Sequence, residues 1–333
     1  MTVLLPEVAE LSQLSEFLLS FMTVELESSK LREFMGGKRT VAETALSSKL
    51  KELDLATAFS DGTTPESGLP GLAQLAYESG RGLMPLALWE NMFSGPYLFG
   101  QLKSACQGLP VADILSGKSK VIAVPASKLK RPIRGLSSSE FLVAFSGNSA
   151  DVFKTPSSAA ELSDELDLVG SYSSVDDKQL TKVGSAQVPA TYASSFSLLV
   201  AAELSGIAAK AVAMTVEYLK IRKQFDVPVG GFQAVQHKAA DMHLHSEAMA
   251  ALVSFALRSF STDTKEFTIA AESALSYASE YTGLVLETAI QLHGGIGFTW
   301  EHDLHLYLRR AKQLEFTFGP TEQELQRIVE AVK

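Results

Sequence analysis

Two hydrophobic rhythms divide the chain. From residue 6 to about 115, apolar positions recur every three or four residues, the spacing of a helix buried on one face. Pro6 suits a first helical turn, and Val8, Leu11, Leu14, Leu18 and Met22 then share a face. A second amphipathic segment runs from about Val41 to Leu55 and ends near Asp61-Gly62. A third opens after Pro70 with Leu72, Leu75 and Ala76 in helical phase, and Met84 to Leu102 is apolar enough to be buried on all sides.

Between about Lys118 and Gln187 the rhythm shortens. Val121-Ile122-Ala123-Val124, Phe141-Leu142-Val143-Ala144-Phe145 and Val152-Phe153 read as strands, punctuated by Ser137-Ser138-Ser139 and Ser146-Gly147-Asn148-Ser149. Helical spacing returns from Ser194. Leu198, Ala202, Ser205, Gly206, Ala209, Ala213 and Val216 line one face with mostly small side chains, which predicts a central helix whose backbone meets its neighbours closely. A second helix from about Gln233 turns Val235, Ala239, Met242, Ala248 and Leu252 inward. A third spans about Thr268 to His293 and stops at Gly294-Gly295, a fourth carries Leu304, Leu308 and Ala311, and Gly319-Pro320 precedes a short last helix with Leu325, Ile328 and Val329. The expected layout is mostly α with a small β domain: an N-terminal helical domain (1–115), a shortened β domain (116–190) and a C-terminal helical bundle (191–333).

Composition narrows the function. A formal charge of −9 argues against a general nucleic-acid or anionic-lipid surface. Cys106 is the sole cysteine, so there is no intrachain disulfide and no cysteine metal cluster, and a reducing, cytoplasmic setting is expected. The start of the chain lacks a secretory pattern, and no apolar run is read as reaching the roughly 20 residues that span a bilayer. His243 and His245 point to different faces of a helix, so the histidines near Asp241 and Glu247 are read as a solvated polar face rather than a metal site. Lys118, Lys120, Lys128, Lys130, Arg131 and Arg134 form a basic cluster, either a solvated loop or a seat for a phosphate or an acidic partner. Trp300, Phe316 and Phe318 are read as packing. Neither a nucleophile elbow nor a phosphate-binding P-loop is present.

Two segments carry chemistry. Arg222-Lys223-Gln224-Phe225 closes a long helix, where an arginine serves either the helix dipole or, through its planar fork, a diphosphate. Gln291-Leu292-His293-Gly294-Gly295-Ile296-Gly297-Phe298 is either a glycine helix stop or a place where backbone approaches a ligand. Together with Leu308-Arg309-Arg310-Ala311-Lys312, they resemble the C-terminal domain of the acyl-CoA dehydrogenase family, most strongly over about 201–312.

The resemblance implies an acyl-CoA dehydrogenase-like fold, with a C-terminal four-helix bundle, and FAD shared across a subunit interface. Arg222, Gln224, Phe225, Gln233, Gln291, His293, Gly294 and Gly295 then correspond to the family's contacts with the pyrophosphate and adenosine of that cofactor. Asp226 stands where the family has glycine. The two places where relatives carry the catalytic glutamate are Phe196 and Phe318, and phenylalanine takes no proton. The acidic, glycine-containing loop that lines the flavin ring in relatives is replaced by a basic loop after Val124-Pro125-Ala126-Ser127. No catalytic residue is therefore assigned. The resemblance extends to the smaller subunits of heterotetrameric bacterial acyl-CoA dehydrogenases, including those acting on steroid side-chain or ring-derived CoA thioesters. It implies an acyl-CoA substrate of fatty acid or steroid catabolism, a larger partner subunit that brings the glutamate, and an electron-transfer flavoprotein as acceptor. The alternatives are a homo-oligomer with a relocated base, Glu203 or Glu322, and a flavin-free structural paralogue.

Overall fold

A computed structural model describes residues 3–5, 7–35, 39–53, 68–102, 108–156, 162, 166–320 and 322–332. Pro6, Asp61-Gly62 and Cys106 lie outside them. Helices come first: α1 (Ala9–Glu25), α2 (Ser28–Leu31), α3 (Arg39–Glu52), α4 (Leu69–Gly82), α5 (Leu86–Trp89), a π-helical turn (Glu90–Ser94), α6 (Gly95–Gly100) and α7 (Val111–Leu115). The N-terminal face is the expected one: Leu11, Leu18 and Met22 of α1 are buried. Pro70 sits in the first turn of α4, where its missing N–H leaves no bond unmade.

The middle of the chain folds into a four-stranded sheet ordered β1 (Val121–Pro125), β3 (Phe141–Ser146), β4 (Ser149–Lys154), β6 (Thr181–Gln187). β1 runs parallel to β3, and the other pairs are antiparallel. A separate two-stranded ladder joins β2 (Ile133–Arg134) to β5 (Tyr172–Ser173). Sequence spacing did not foresee β2, β5 or β6. The first two are too short to show alternation, and β6 is largely exposed along its length.

Four long helices follow: α8 (Tyr192–Ile221), α9 (Gln233–Ser259), α10 (Thr264–His293) and α11 (Leu304–Phe318), then α12 (Glu322–Val332). α10 is capped by the Asp263 carboxylate, which accepts from the Lys265 and Glu266 amides. The small-residue face of α8 does what its composition predicts. A Cβ on Gly206 would run into the Tyr77 carbonyl oxygen of α4, and one on Gly80 into the Glu203 carbonyl oxygen of α8.

α8 also corrects the reading of apolar runs. It is long and apolar enough by length and composition to cross a membrane, with a mean hydropathy of 1.6 over an 18-residue window. Of that window 83% is buried inside the fold, so its apolar character is that of a core helix. In α9 the expected Met242 is buried, but further along the inward positions fall one residue later than expected. Met249 and Val253 are buried, whereas Ala248 and Leu252 are half-buried.

Candidate functional site

The termini of three bundle helices meet at one end of the bundle. α8 ends at Arg222, whose N–H donates to the Tyr218 carbonyl. One turn earlier, the Tyr218 ring stacks on His293 at the end of α10 with centroids 4.3 Å apart, and its hydroxyl donates to the His293 carbonyl oxygen at 3.2 Å. The start of α9 joins the same group through Lys238 Nζ, which donates to Gln291 Oε1 at 3.0 Å. Arg222, Gln224, Phe225, Gln233, Gln291, Gly294 and Gly295 are all exposed. Among the described residues, the Arg222 guanidinium makes no hydrogen bond or ion pair.

After Arg222 the chain turns back in a hairpin, β7 (Lys223–Gln224) against β8 (Val227–Pro228). Its turn residues are Phe225 at φ 50° and Asp226 at φ 63°, the backbone of a type I′ turn. The second of these positions favours glycine, and Asp is among the few other residues that tolerate it. The Asp226 departure thus has a conformational setting. Phe225 stands 88% exposed at the tip.

His293 is buried. Its Nδ1 lies 2.8 Å from the Ala289 carbonyl oxygen and must be the protonated nitrogen of a neutral ring, which leaves Nε2 as an acceptor with no partner. Burial lowers its pKa. His302, 4.5 Å away ring to ring, is lowered by burial and then by His293, and His305 by burial and then by Arg309. At Gly294 (φ 65°) and Gly295, a Cβ would meet nothing within 4 Å, so this stretch of backbone is open to an approaching group.

A second constellation surrounds Phe196 and Phe318, the two positions at which the resemblance implies a base. Phe196 and Phe318, far apart in sequence, pack edge to face with centroids 5.2 Å apart. Phe145 packs on Phe196 at 5.4 Å, and the Arg134 guanidinium lies over Phe318 at 4.9 Å. Beneath this plug runs an ionic network with no side chain more than 3% exposed. Arg134 pairs with Glu90 and, through Nη1 at 2.9 Å, with Glu203. Arg310 pairs with Asp167 and lies 3.4 Å from Glu203 Oε1. Burial raises the pKa of Glu90, against the pull of Arg134. Glu203 sits between the two guanidiniums, so both of its carboxylate oxygens are already engaged.

The basic cluster is not simply a solvated loop. Lys128, buried, donates to the Gly319 carbonyl oxygen at 3.0 Å, and Arg131 donates to the carbonyls of Phe316 and Thr317. These cations cap the C-terminal end of α11 and hold the Phe318 turn against the β domain. Trp300 and Phe316 prove to be mostly exposed, with only Phe318 of the three in the core. His245, read as part of a solvated face, stacks on Tyr281 at 4.4 Å, and its Nδ1 is 2.9 Å from the Tyr277 hydroxyl. Sequence reading noted Arg134, Glu203 and Arg310 but did not connect them. The available signal was a glutamate in the middle of the apolar helix Leu198–Ile207, which demands a buried partner.

Residues 196–333 match the model of the acyl-CoA dehydrogenase C-terminal domain. Acyl-CoA dehydrogenase IpdE2 of Mycolicibacterium smegmatis is 38% identical over 136 residues, which are 41% of this chain and 42% of that protein. The matched stretch thus spans about two fifths of the length of the curated relatives. Over nearly the whole chain, the fold is similar to a solved variant of the Tcur3481-Tcur3483 steroid ACAD (TM-score 0.81, 22% identity, 97% of this chain and 98% of that one). It is also similar to the ChsE4-ChsE5 complex from Mycobacterium tuberculosis (TM-score 0.74, 21% identity, 96% of each chain). The C-terminal part of the chain is thus similar to the acyl-CoA dehydrogenase C-terminal domain, and nearly the whole chain shares the fold of these solved structures.

Proposed function

We propose that this chain is the non-catalytic subunit of a heteromeric acyl-CoA dehydrogenase, holding the pyrophosphate and adenosine of FAD while a larger partner supplies the base and the acyl pocket. The observation that carries the reading is the contrast between two places in one molecule. Both positions at which the resemblance implies a glutamate are phenylalanines pressed together in the core, whereas at the helix ends Arg222 and Gln233 are exposed and, among the described residues, make no side-chain hydrogen bond.

The residues fit one half of the cofactor. Arg222 has the planar fork for two charge-assisted hydrogen bonds to a diphosphate, Gly294-Gly295 offers uncovered backbone, and Gln233 and Gln291 offer amides. His293 lies buried behind them, where its stacking on Tyr218 fixes the end of α10 against that of α8. The other half does not fit. Lys128 and Arg131 dock the loop after β1 onto the end of α11, and the Phe196–Phe318 plug leaves no base. Bound FAD would supply hydride acceptance from an acyl-CoA thioester, with an electron-transfer flavoprotein as the onward acceptor. This chain's contribution is binding and orientation.

Ile221, Phe225, Ile296, Phe298 and Trp300 are exposed around the same helix ends, an apolar rim that a partner subunit would cover. The structural neighbours include a ChsE4-ChsE5 complex and a steroid ACAD, which favours a steroid-derived thioester as the substrate class. A relocated base at Glu203 is disfavoured by its two arginine partners.

The test is a visible absorption spectrum of the chain purified alone and co-expressed with a full-length relative. The expected outcome is a colourless lone chain and a yellow complex, with Arg222→Ala lowering the flavin content of the complex about tenfold or more. Flavin absorption and dehydrogenation by the lone chain would overturn the division of labour.

A further inference from the structure

Away from the helix ends, a cavity of about 290 Å³ lies between α1, the start of α2, the end of α4 and the middle of α8. Leu19, Met22, Leu26 and Met214 give it an apolar wall. Its acids already have partners. Glu78 pairs with Arg81 at 2.9 Å, Asp303 with Arg32 at 2.8 Å, and Glu27 accepts from the Ser29 hydroxyl at 2.8 Å. Lys210 on the same wall is different. It is half-buried, and among the described residues its ammonium has no hydrogen bond or ion pair. Burial, and then Arg81, lower its pKa.

The Asp303 carboxylate acts on Lys210 from a distance, raising its pKa against those two effects. A half-buried ammonium with no ion pair or hydrogen bond among the described residues is still an unfavourable arrangement unless something else completes it. An apolar hollow with one such group is the usual make-up of a small-ligand site. We propose that this cavity binds an amphipathic monocarboxylate, its carboxylate on Lys210 and its hydrocarbon tail against Met22, Leu26 and Met214. A single negative charge is required, because Glu78 and Asp303 line the same space and would repel a second. The proposal is independent of flavin binding, since none of these residues belongs to the helix-end site.

Isothermal titration of the full chain with octanoate tests it, with octanol as the uncharged comparator. Octanoate is expected to bind, and octanol at least about tenfold more weakly. Lys210→Met should weaken octanoate by about the same factor, and Lys210→Arg should retain it. Met214→Trp, which fills the hollow from its apolar side, should abolish binding while leaving the circular dichroism spectrum unchanged. The proposal is overturned by no heat at millimolar octanoate, by equal binding of octanol, or by wild-type affinity in either Lys210→Met or Met214→Trp. Should Lys210→Met fail to fold, the octanol comparison and Met214→Trp still decide.

Discussion

Glu203 shows how one side chain decides between readings of the site. Its position on α8, seven residues after Phe196, made it a candidate for a relocated base, but the structure places it against Arg134 and Arg310 at no measurable exposure. A carboxylate so placed balances two buried guanidiniums. Glu203→Gln is therefore expected to destabilise the fold by about 3–5 kcal/mol, read from the urea midpoint, because it leaves buried positive charge unmatched. A base role would instead leave stability unchanged and remove activity. That phenylalanine stands at 196 and 318, where the resemblance implies a glutamate, was legible in the sequence. What surrounds them was not: residues 90, 134, 167, 203 and 310 come together only through folding, and no local pattern links them.

Individual helices were the most readable level, because each long one carries its own period and stop signal. The small-residue face of α8 predicted close backbone approach, and Gly206 against the Tyr77 carbonyl delivers it. Gly206→Ala should cost about 1–3 kcal/mol through overpacking, measurable by chemical denaturation. The misplacement of Ala248 and Leu252 in α9, after a correct Met242, has a physical source. The helix packs against both α8 and α10, so its buried stripe is wide, and Ala248 and Leu252 lie on its flank. At the end of α10, His293, His302 and His305 have pKa values held below the ordinary histidine value of about 6.5. The folded state then binds fewer protons than the unfolded one in that window. Their contribution is present above about pH 6.5 and is lost as the pH falls through their lowered values. Thermal melts should show stability dropping on acidification from neutrality, and His293→Gln should flatten that slope.

Across the whole molecule, the order helices, strands, helices was visible in the change of rhythm, whereas the joint between β domain and bundle was not. That joint depends on Lys128 and Arg131, which look like loop cations until the end of α11 is placed beside them. Lys128→Met should lower stability by about 1.5–3 kcal/mol, the scale of a charged hydrogen bond, seen as an earlier denaturation midpoint. The helix ends around Arg222 and Gly294 leave polar groups exposed, which the proposed function takes as one half of a shared site. The Phe318 turn also bears on the protein's history. A glutamate restored there would emerge beneath Arg134 and beside the docked basic loop, where the guanidinium would claim its charge and depress its basicity. Reversion of one codon would rebuild the letter of the family motif without its chemistry. On the proposed function, a glutamate at this position would not by itself restore a proton acceptor, and the base would have to come from another chain.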